Sequence, residues 1–412
     1  MTNSANGMLT LDDENVLRNP FASYKWLRDN APVYLDPGTG MYVITRYEDI
    51  RRITEDPQTF SSNAGMLGDR AFSGTGEAAR IMREEASPYV NTMVSADPPV
   101  HTKYRAIVQS AFGPSRITKM QAYIQEVCDR QIETFADKGR LEVLADLAVP
   151  IPMYIIADQL GVPRGMYETF KRWSDALVMS SDMRLPEDVR AQAARSVVEM
   201  HRYIIGVAEE LRRHPADTVL SDIVQGEVDG RKLRNDEIVS ITTQVLVAGN
   251  ETTTNTIAMG LHLMIEEGLE DTLRADLTKI PQFVEEVLRL TSTLQGLFRR
   301  ATRDVEVAGT LIPEGAKIVL RWAAANRDER RFANPDVVDL GRKTAAQHVA
   351  FGMGIHYCLG NLLARAELRT TFTTMLKRFR NFRLADEPNA AEWLVHTWSR
   401  GLTRLALEFD PA

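Results

Sequence analysis

A long helical segment in the middle of the chain limits most strongly what this sequence can fold into. Residues 235–267 keep apolar side chains at helical spacing, from an Asn-Asp start to a stop at Gly268. A helix of about 32 residues is ~48 Å long, and its largely apolar ends are typical of a helix that runs through a core. Its centre, residues 250–256, has the sequence NETTTNT and poor helix propensity. Because such conflicts tend to fall at functional sites, we expect a large helical protein with a site at this centre.

The bulk composition is that of an ordinary globular protein. The chain has 412 residues, of which 44% are apolar and 25% are charged, enough to bury a large core. The net charge of -7 argues against general nucleic-acid binding. Residues 1–15 lack an apolar signal core, and no run of about 20 apolar residues is present that would span a membrane. The two cysteines are far apart and make no disulfide framework, so we expect a reduced, soluble, cytoplasmic protein.

Helical patterns dominate the rest of the sequence. One helical pattern follows another from about residue 97 to residue 281, whereas residues 33–35 and 41–45 alternate as a β-hairpin around a Pro-Gly-Thr-Gly turn. Short strands are expected at residues 305–307, at residues 317–320 and near the end of the chain. No repeat and no low-complexity linker interrupts these patterns. We therefore predict a single, mainly α unit over the whole chain with small antiparallel β-sheets and no fused reductase, although length alone favours two or three domains.

The ten residues 351–360, with the sequence FGMGIHYCLG, place Cys358 among closely spaced glycines directly before another helical pattern. Glycine accepts positive φ and lets other atoms approach the backbone, so such a loop can fold tightly against a flat ligand. A thiolate at a helix N-terminus is stabilised by the amide groups there and by the helix dipole. The segment therefore predicts a single anionic sulfur ligand for a metal in a planar cofactor. The plainer interpretation is a buried, inert cysteine in a glycine-rich turn.

This loop resembles the haem-binding loop of the cytochrome P-450 family, Phe-Gly-x-Gly-x-His-x-Cys-x-Gly, at every fixed position. Residues 248–253, AGNETT, resemble the central-helix motif of the same family. The resemblance covers nearly the whole chain, with the motifs in the family's order. It implies a mainly α-helical, triangular fold with small β-sheets, haem b as the cofactor, and Cys358 as the metal ligand.

Thr252 and Glu251 are the residues for which the resemblance implies a catalytic role. Gly249 leaves space beside the helix for a small ligand, and the Thr252 hydroxyl can bond its own backbone or face outward, which opens the helix locally. Glu251 is an acid that can relay protons from solvent. Because splitting dioxygen consumes protons, an alcohol beside an acid suits the task. The alternative for these residues is a capped kink with a solvated carboxylate.

Further residues match family positions that contact the haem. Partly buried propionates need cationic or hydrogen-bonding partners. The implied partners are His101, Arg105, Arg299 with Arg300 as its alternative, and His348. The resemblance also places Phe351 on the sulfur side of the ring and Ala248 on the oxygen side.

Glu286 and Arg289 form a Glu-x-x-Arg pair, whose spacing puts both side chains on one helix face. The pair is a weak signal alone, because charged residues at this spacing are common on surfaces. In the family it is structural and locks the helix to the irregular segment before the cysteine loop. Arg330 or Arg331 is the expected third partner.

The resemblance implies a monooxygenase that uses O2 and two externally supplied electrons to hydroxylate or otherwise oxidise a hydrophobic small molecule. The expected electron source is a ferredoxin or flavodoxin with its NAD(P)H-dependent reductase, and the protein is expected to be a monomer. Docking is expected on the Cys358 side, at a basic patch of Lys103, Arg116, Lys119 and Arg365. Two alternatives stay open: a peroxide-driven haem-thiolate peroxygenase, which does not need Glu251 and Thr252, and a non-catalytic haem-binding sensor.

The sequence leaves the identity of the substrate open. Candidate pocket walls are residues 60–76, residues 177–179, Leu246 and residues 294–297, and they are mostly apolar. This favours a hydrophobic substrate but does not select a chemical class. The family often has proline at the position of Thr293, so the backbone course of the segment that follows is not implied by the resemblance.

Overall fold

The computed structural model describes residues 9–64, 75–180 and 185–412. The chain divides into two compact units. The first comprises Met1–Ser61, Lys119–Ile151 and Glu251–Ala412, and the second comprises Ser62–Thr118 and Pro152–Asn250.

Helices account for most of the described structure. In chain order they are α1 (Glu14–Arg18), α2 (Phe21–Asn30), α3 (Tyr47–Glu55), α4 (Glu77–Glu84), α5 (Val100–Gln109), α6 (Pro114–Glu133), α7 (Pro150–Gln159), α8 (Tyr167–Met179), α9 (Glu187–Arg213), α10 (Val219–Gln225), α11 (Asn235–Glu266), α12 (Glu270–Ala275), α13 (Ile280–Thr291), α14 (Trp322–Ala325) and α15 (Asn361–Arg378). A five-residue π-helix at Leu144–Ala148 precedes α7.

The longest helix, α11, confirms the prediction from the sequence. It runs unbroken for 32 residues and is followed by Gly268 at φ 59°, the left-handed conformation that ends helices and that glycine adopts without strain. The boundary between the two units falls inside α11, between Asn250 and Glu251. The helix therefore contributes residues to both units.

The first unit holds a mixed five-stranded sheet. Its order is β1 (Val33–Leu35), β2 (Tyr42–Ile44), β10 (Lys317–Leu320), β7 (Leu297–Ala301) and β3 (Phe60–Ser61). Its pairings are antiparallel except that of β2 with β10, in which Val43 lies opposite Val319. A Cβ on Gly296, just before β7, would overlap the carbonyl oxygen of Leu320, so this backbone lies directly against β10.

Further antiparallel strands complete the first unit. The order β11 (Phe379–Leu384), β13 (Leu402–Pro411), β12 (Ala391–Trp393) forms one sheet, to which β4 (Arg140–Glu142) adds through β13, and β8 (Val305–Val307) pairs with β9 (Thr310–Ile312). The core around the five-stranded sheet includes Ile44, Ile318, Leu320, Trp322 and Phe332. Burial of such side chains drives the packing of this unit.

The second unit is mostly helical and is held by buried polar bonds as well as by apolar packing. Glu237 at the start of α11 is 1% exposed and accepts a bond of 2.6 Å from the Tyr104 hydroxyl and two bonds from Arg231. Burial alone would raise the pKa of Glu237, but the bonds from Arg231 and Tyr104 outweigh it and lower the pKa to about 2. A two-stranded ribbon of β5 (Glu227–Val228) and β6 (Arg231–Lys232) precedes this helix.

The fold class predicted from the sequence, mainly α with small sheets, is confirmed. The predicted hairpin and the strands at residues 305–307 and 317–320 are present. The strand at Leu297–Ala301 was not predicted. Within the described part of the chain, no helix combines the length and apolar character that crossing a membrane requires.

Candidate active site

The cysteine loop has the tight backbone that its glycines predict. Gly352 and Gly354 have φ of 69° and 65°, and a 3-10 turn covers Gly354–His356. The Cys358 amide donates a hydrogen bond of 2.8 Å to the Phe351 carbonyl, which closes the loop. Asn361, the first residue of α15, donates from its side chain to the Cys358 carbonyl at 2.8 Å. Cys358 is half-buried and stands three residues before Asn361, at the N-terminal end of α15.

A buried ion pair holds this loop from the side. The Arg365 guanidinium on α15 lies 4.6 Å from the Phe351 ring centre, a cation–π geometry. Two hydrogen bonds of 2.7 and 2.9 Å join Arg365 to the Glu285 carboxylate on α13. Burial alone would raise the pKa of Glu285, but bonds from His348 and Arg365 outweigh it and lower the pKa to about 2. The charged pair therefore ties two helices to the residue that bonds the Cys358 amide.

Both ring nitrogens of His348 contact other groups of the protein. Its Nδ1 accepts a bond of 3.1 Å from the Ala350 amide, and its Nε2 lies 3.3 Å from Glu285. Burial lowers the pKa of His348, although Glu285 opposes this shift. The tautomer with the proton on Nε2 fits both contacts. His356, a fixed position of the haem-loop pattern, is half-buried and stands two residues before Cys358.

The centre of α11 presents one open face. Ala248 is exposed, and Gln244, Glu251 and Thr252 are half-buried, although both ends of the helix are largely buried. Spacings of three and four residues put these side chains on a single face. Burial raises the pKa of Glu251 above its ordinary value, so its carboxyl keeps a proton to higher pH. The open face therefore carries a small residue, a hydroxyl and an acid.

The rest of the polar helix centre serves packing. Asn250 donates from its side chain to the Ser174 hydroxyl at 3.0 Å within the second unit. Thr254 donates its hydroxyl to the Ala148 carbonyl at 3.1 Å within the first unit. Thus only part of the polar segment that the sequence indicated lies on the open face. The helix also runs unbroken through Thr252, in contrast to the expected local opening.

The Glu286–Arg289 pair is a fully buried structural lock. Both side chains have no exposed surface, and Arg289 donates to the two Glu286 oxygens at 2.7 and 2.9 Å. The predicted third partner was wrong, because Arg342 occupies that place, at 3.1 and 3.2 Å from the same carboxylate. Arg330 instead pairs with Asp328, and Arg331 lies 5.1 Å from the ring of Tyr47. Arg342 reaches the pair because the irregular segment folds back along α13.

Strand alternation separates the two arginines proposed as alternatives. On β7, Arg299 is buried and Arg300 is exposed. Arg299 donates to the Phe298 carbonyl at 2.7 Å. A buried guanidinium favours an anionic partner, which supports Arg299 over Arg300 as the one that meets a propionate.

The remaining predicted haem contacts belong to the second unit. His101 on α5 is 2% exposed, and Arg105 follows four residues later on the same face and is half-buried. Ala248 lies on the part of α11 that this unit includes. Of the predicted set, the first unit brings together Cys358, Phe351 and His348.

Most of the expected basic patch is neutralised. Lys103 lies 2.5 Å from Asp229, Arg116 lies 2.5 Å from Asp217, and half-buried Arg365 is paired with Glu285. Lys119 is exposed. The sequence could not foresee these pairs, because their partners are distant in the chain.

The predicted pocket-wall residues differ in burial. Leu246 is 1% exposed and packs in the core, which does not support a place for it on a pocket wall. Leu294 and Leu297 pack against the core of the first unit and are only partly buried. Residues 65–74 of the predicted loop lie outside the described residues, as does the side chain of Val178 within the predicted wall at residues 177–179.

Comparison with known proteins defines the class to which this fold and loop belong. Residues 155–397 match the family model described as Cytochrome P-450, which is more than half of the chain. The chain belongs to the cytochrome P-450 family. The members of this family are haem-containing monooxygenases.

Relatives of known sequence and solved structures match nearly the whole chain. A steroid C26-monooxygenase of Mycolicibacterium smegmatis is 32% identical over 388 residues, which cover 92% of this chain and 92% of that protein. The structure of cytochrome P-450 CYP109Q5 from Chondromyces apiculatus has a TM-score of 0.85 and 33% identity and covers 98% of both chains. The structure of CYP109E1 from Bacillus megaterium in complex with corticosterone has a TM-score of 0.83 and 28% identity and covers 96% of this chain and 99% of that one.

The residues present fit the haem that the family uses. A porphyrin supplies nitrogen ligands to its iron, so a single protein thiolate would be enough to hold the haem iron from the protein. Cys358 would supply that thiolate, and the glycines at positions 352 and 354 leave no side chain over the turn. The buried Arg299 supplies a cation of the kind that a haem carboxylate requires.

Proposed function

We propose that this protein is a haem-thiolate monooxygenase that oxidises a hydrophobic small molecule with O2 and electrons from a separate donor. The observation that carries the proposal is the position of Cys358. The thiol is half-buried, stands just before α15, and belongs to a loop closed by the bond between its own amide and the Phe351 carbonyl. The amides and the dipole at a helix N-terminus stabilise a thiolate, which is the form of cysteine that binds a metal.

The proposed roles follow from the positions of the side chains. Cys358 would hold the iron, Phe351 and Ala248 would face the two sides of the ring, and the cationic partners of the propionates would be His101, Arg105 and Arg299. His348 is retained as a candidate, but its contacts with Glu285 and Ala350 favour a role in fixing the loop. When bound, the haem supplies the chemistry of oxygen activation, which a thiolate ligand favours by donating electron density.

Glu251 and Thr252 would handle protons on the open face of α11. Burial raises the pKa of Glu251, so its carboxyl keeps a proton to higher pH than an exposed glutamate does, and a protonated acid can deliver that proton. The Thr252 hydroxyl can donate one hydrogen bond and accept others, so it can orient a small polar ligand while a proton passes. Ala248 is exposed about one turn earlier on the same face, and its small side chain leaves the ligand room beside the helix.

A hydrophobic substrate is supported by the apolar side chains of Leu294 and Leu297 and by the relatives. One relative acts on steroids at C26, and one solved structure contains corticosterone. We therefore place steroids first in a ligand screen, and the exact reaction is part of the proposal. The electron donor would be a ferredoxin or flavodoxin with its NAD(P)H-dependent reductase.

The test compares the two cysteines of the chain. Cys358→Ser should lose the thiolate-type absorbance of the ferrous carbon monoxide complex, because serine is a weak donor to iron. Cys128→Ser is the matched control, since Cys128 is buried, bonds Thr371, and has a pKa raised to about 12 by burial. The control should keep the thiolate-type spectrum of the unaltered protein.

Further outcomes separate the alternatives. Retention of the thiolate spectrum in Cys358→Ser would contradict the ligand assignment. With corticosterone as the first test compound, the haem spin state reports binding, and a reductase with ferredoxin reports turnover. Product formed only with peroxide would favour a peroxygenase, and binding without any product would favour a sensor.

A further inference from the structure

Thr293 joins the segment after α13 to the centre of α11. The family-typical proline is absent at this position, and the Thr293 hydroxyl oxygen instead lies 2.8 Å from the hydroxyl oxygen of Thr256. The two threonines are buried, with 8% and 4% of their surface exposed. A buried hydroxyl pair of this kind is stable only if each hydroxyl finds a partner.

The direction of the hydrogen bonds follows from counting hydrogens. A threonine hydroxyl has one hydrogen to donate and two lone pairs to accept. Thr256 donates its hydrogen to the Thr252 carbonyl at 2.8 Å, one helical turn earlier. The hydrogen between the two hydroxyls therefore belongs to Thr293. The chain of donation runs from Thr293 to Thr256 to the backbone of Thr252.

The bond to the Thr252 carbonyl affects the helix at the open face. In α11 this carbonyl is also the expected acceptor for the Thr256 amide, so the Thr256 hydroxyl adds a second donor. Such back-bonding weakens the helix slightly and often bends it. The Thr293 hydrogen occupies a lone pair of Thr256 and so favours the rotamer that makes this bond. The local backbone of Thr252 therefore depends on a residue outside the helix.

Thr293 is itself held in place by the turn before β13. The Arg400 amide donates to the Thr293 carbonyl at 2.7 Å, and the Gln295 amide donates to the Trp398 carbonyl at 2.8 Å. Leu294 forms an isolated antiparallel bridge with Ser399. The segment thus cannot shift without breaking these bonds. The hydrogen bond from the Thr293 hydroxyl then fixes the Thr256 hydroxyl relative to this segment.

We infer that Thr293 is a positioning residue for Thr252. Through the Thr256 hydroxyl it sets the backbone at which Thr252 presents its own hydroxyl, and it couples that hydroxyl to the segment that carries Leu294 and Leu297. The inference rests on the proposed function, in which Thr252 handles the small ligand, but the hydroxyl link itself can be tested without activity.

The first experiment is a double-mutant cycle in denaturant unfolding. Thr293→Val should increase the unfolding equilibrium constant about fivefold, the typical effect of one lost hydrogen bond. The same change in a Thr256→Val background should have almost no effect, because the partner is already gone. Thr293→Ser keeps the donor, so Thr256→Val should cost as much in the Thr293→Ser background as in the unaltered protein. Equal effects of Thr293→Val in both backgrounds would overturn the link.

A matched control removes a similar hydroxyl from the same region. Thr291 is buried at the end of α13 and donates its hydroxyl to the Val287 carbonyl at 2.7 Å, within its own helix. In amide hydrogen exchange, Thr293→Val should speed exchange across residues 252–256 several-fold, whereas Thr291→Val should leave that peptide unchanged. The same rate in Thr293→Val and the unaltered protein would contradict the inference.

The second experiment uses carbon monoxide as the probe of the open face. The infrared stretching band of the ferrous carbon monoxide complex responds to polar groups near the ligand. Thr252→Ala should shift this band, and Thr293→Val should shift or broaden it while Thr293→Ser restores it. A shift in Thr252→Ala with none in Thr293→Val would overturn the positioning role. If Thr252→Ala itself has no effect, the role proposed for Thr252 fails, and the unfolding cycle still decides whether the link exists.

Discussion

Glu285 and Arg365 form a bidentate ion pair with 2.7 and 2.9 Å between their atoms, and the Arg365 guanidinium covers the ring of Phe351 at 4.6 Å. The Phe351 carbonyl in turn accepts the Cys358 amide. A charge on α13 is thereby connected to the backbone of the cysteine loop through two contacts. The contacts of this pair explain how a glycine-rich loop with little side-chain bulk keeps a fixed shape.

Replacement of Glu285 by glutamine should loosen the loop. Loss of the charge-assisted bonds should lower the free energy of unfolding at pH 7 by about 2–3 kcal/mol. Because the pKa of Glu285 is lowered to about 2 in the folded protein, its contribution is complete above pH 4.5 and is lost as pH falls towards 2. Denaturant unfolding should therefore show that the free energies of unfolding of the two proteins differ less at pH 3 than at pH 7. Glu306→Gln, an exposed change on β8, is the control.

Replacement of Glu286 should destabilise the protein more than replacement of Glu285. Glu286→Gln leaves Arg289 and Arg342 buried without their shared carboxylate, and removal of one partner from a buried pair costs about 3–5 kcal/mol. Thermal unfolding and yield of folded protein measure the effect. Glu55→Gln breaks an exposed pair with Arg51 and should cost only ~0.3–0.5 kcal/mol. Similar losses in the two variants would show that burial of the lock contributes nothing.

Glu367 should make stability fall with rising pH. The residue is 2% exposed on α15, and burial raises its pKa to about 8. The folded protein then holds a proton that the unfolded chain releases above pH 4.5, so stability is complete below that pH and declines until pH 8. Glu367→Gln removes this titration, and its melting temperature should exceed that of the unaltered protein by several degrees at pH 8 but not at pH 4.5. Parallel pH profiles of melting temperature for the two proteins would contradict the assignment.

Glu251→Gln should slow turnover if Glu251 delivers protons. General acid catalysis typically contributes about 10²-fold or more, so the loss of rate should be of that order. Burial raises the pKa of Glu251, so the unaltered enzyme should lose rate as pH rises through that value, and the variant should not show this limb. Steady-state turnover and its solvent isotope effect measure both points. Glu267→Gln, at an exposed position just after α11, should behave like the unaltered enzyme; an unchanged rate in Glu251→Gln would place the relay elsewhere.

Local patterns in the sequence predicted the elements that local physics determines. The predicted ends of α11 lie within one residue of the observed ends. The signals that set them, an apolar period, an Asn-Asp start and Gly268, act over short distances in the sequence. The first hairpin and the turns at Gly352 and Gly354 were predictable for the same reason. The cysteine loop was identified from its own residues.

Contacts between distant segments could not be predicted in this way. The third residue of the Glu286–Arg289 cluster is Arg342 rather than Arg330 or Arg331. The path of an irregular segment determines which guanidinium lies beside the Glu286 carboxylate. The carboxylates that neutralise Lys103 and Arg116 lie more than a hundred residues away in sequence. Strand Leu297–Ala301 pairs with β10 and β3, and no alternating pattern marks it. These features depend on tertiary packing, which one sequence does not reveal.

The close contact between Gly296 and the Leu320 carbonyl restricts how this enzyme can diversify. Any larger residue at position 296 would push β7 away from β10, so the main chain beside the two leucines has almost no freedom to move. If Leu294 and Leu297 line the substrate pocket as proposed, adaptation to new molecules at this wall would occur through exchanges of the side chains at positions 294 and 297. A directed-evolution library should concentrate its diversity there and leave the glycine untouched.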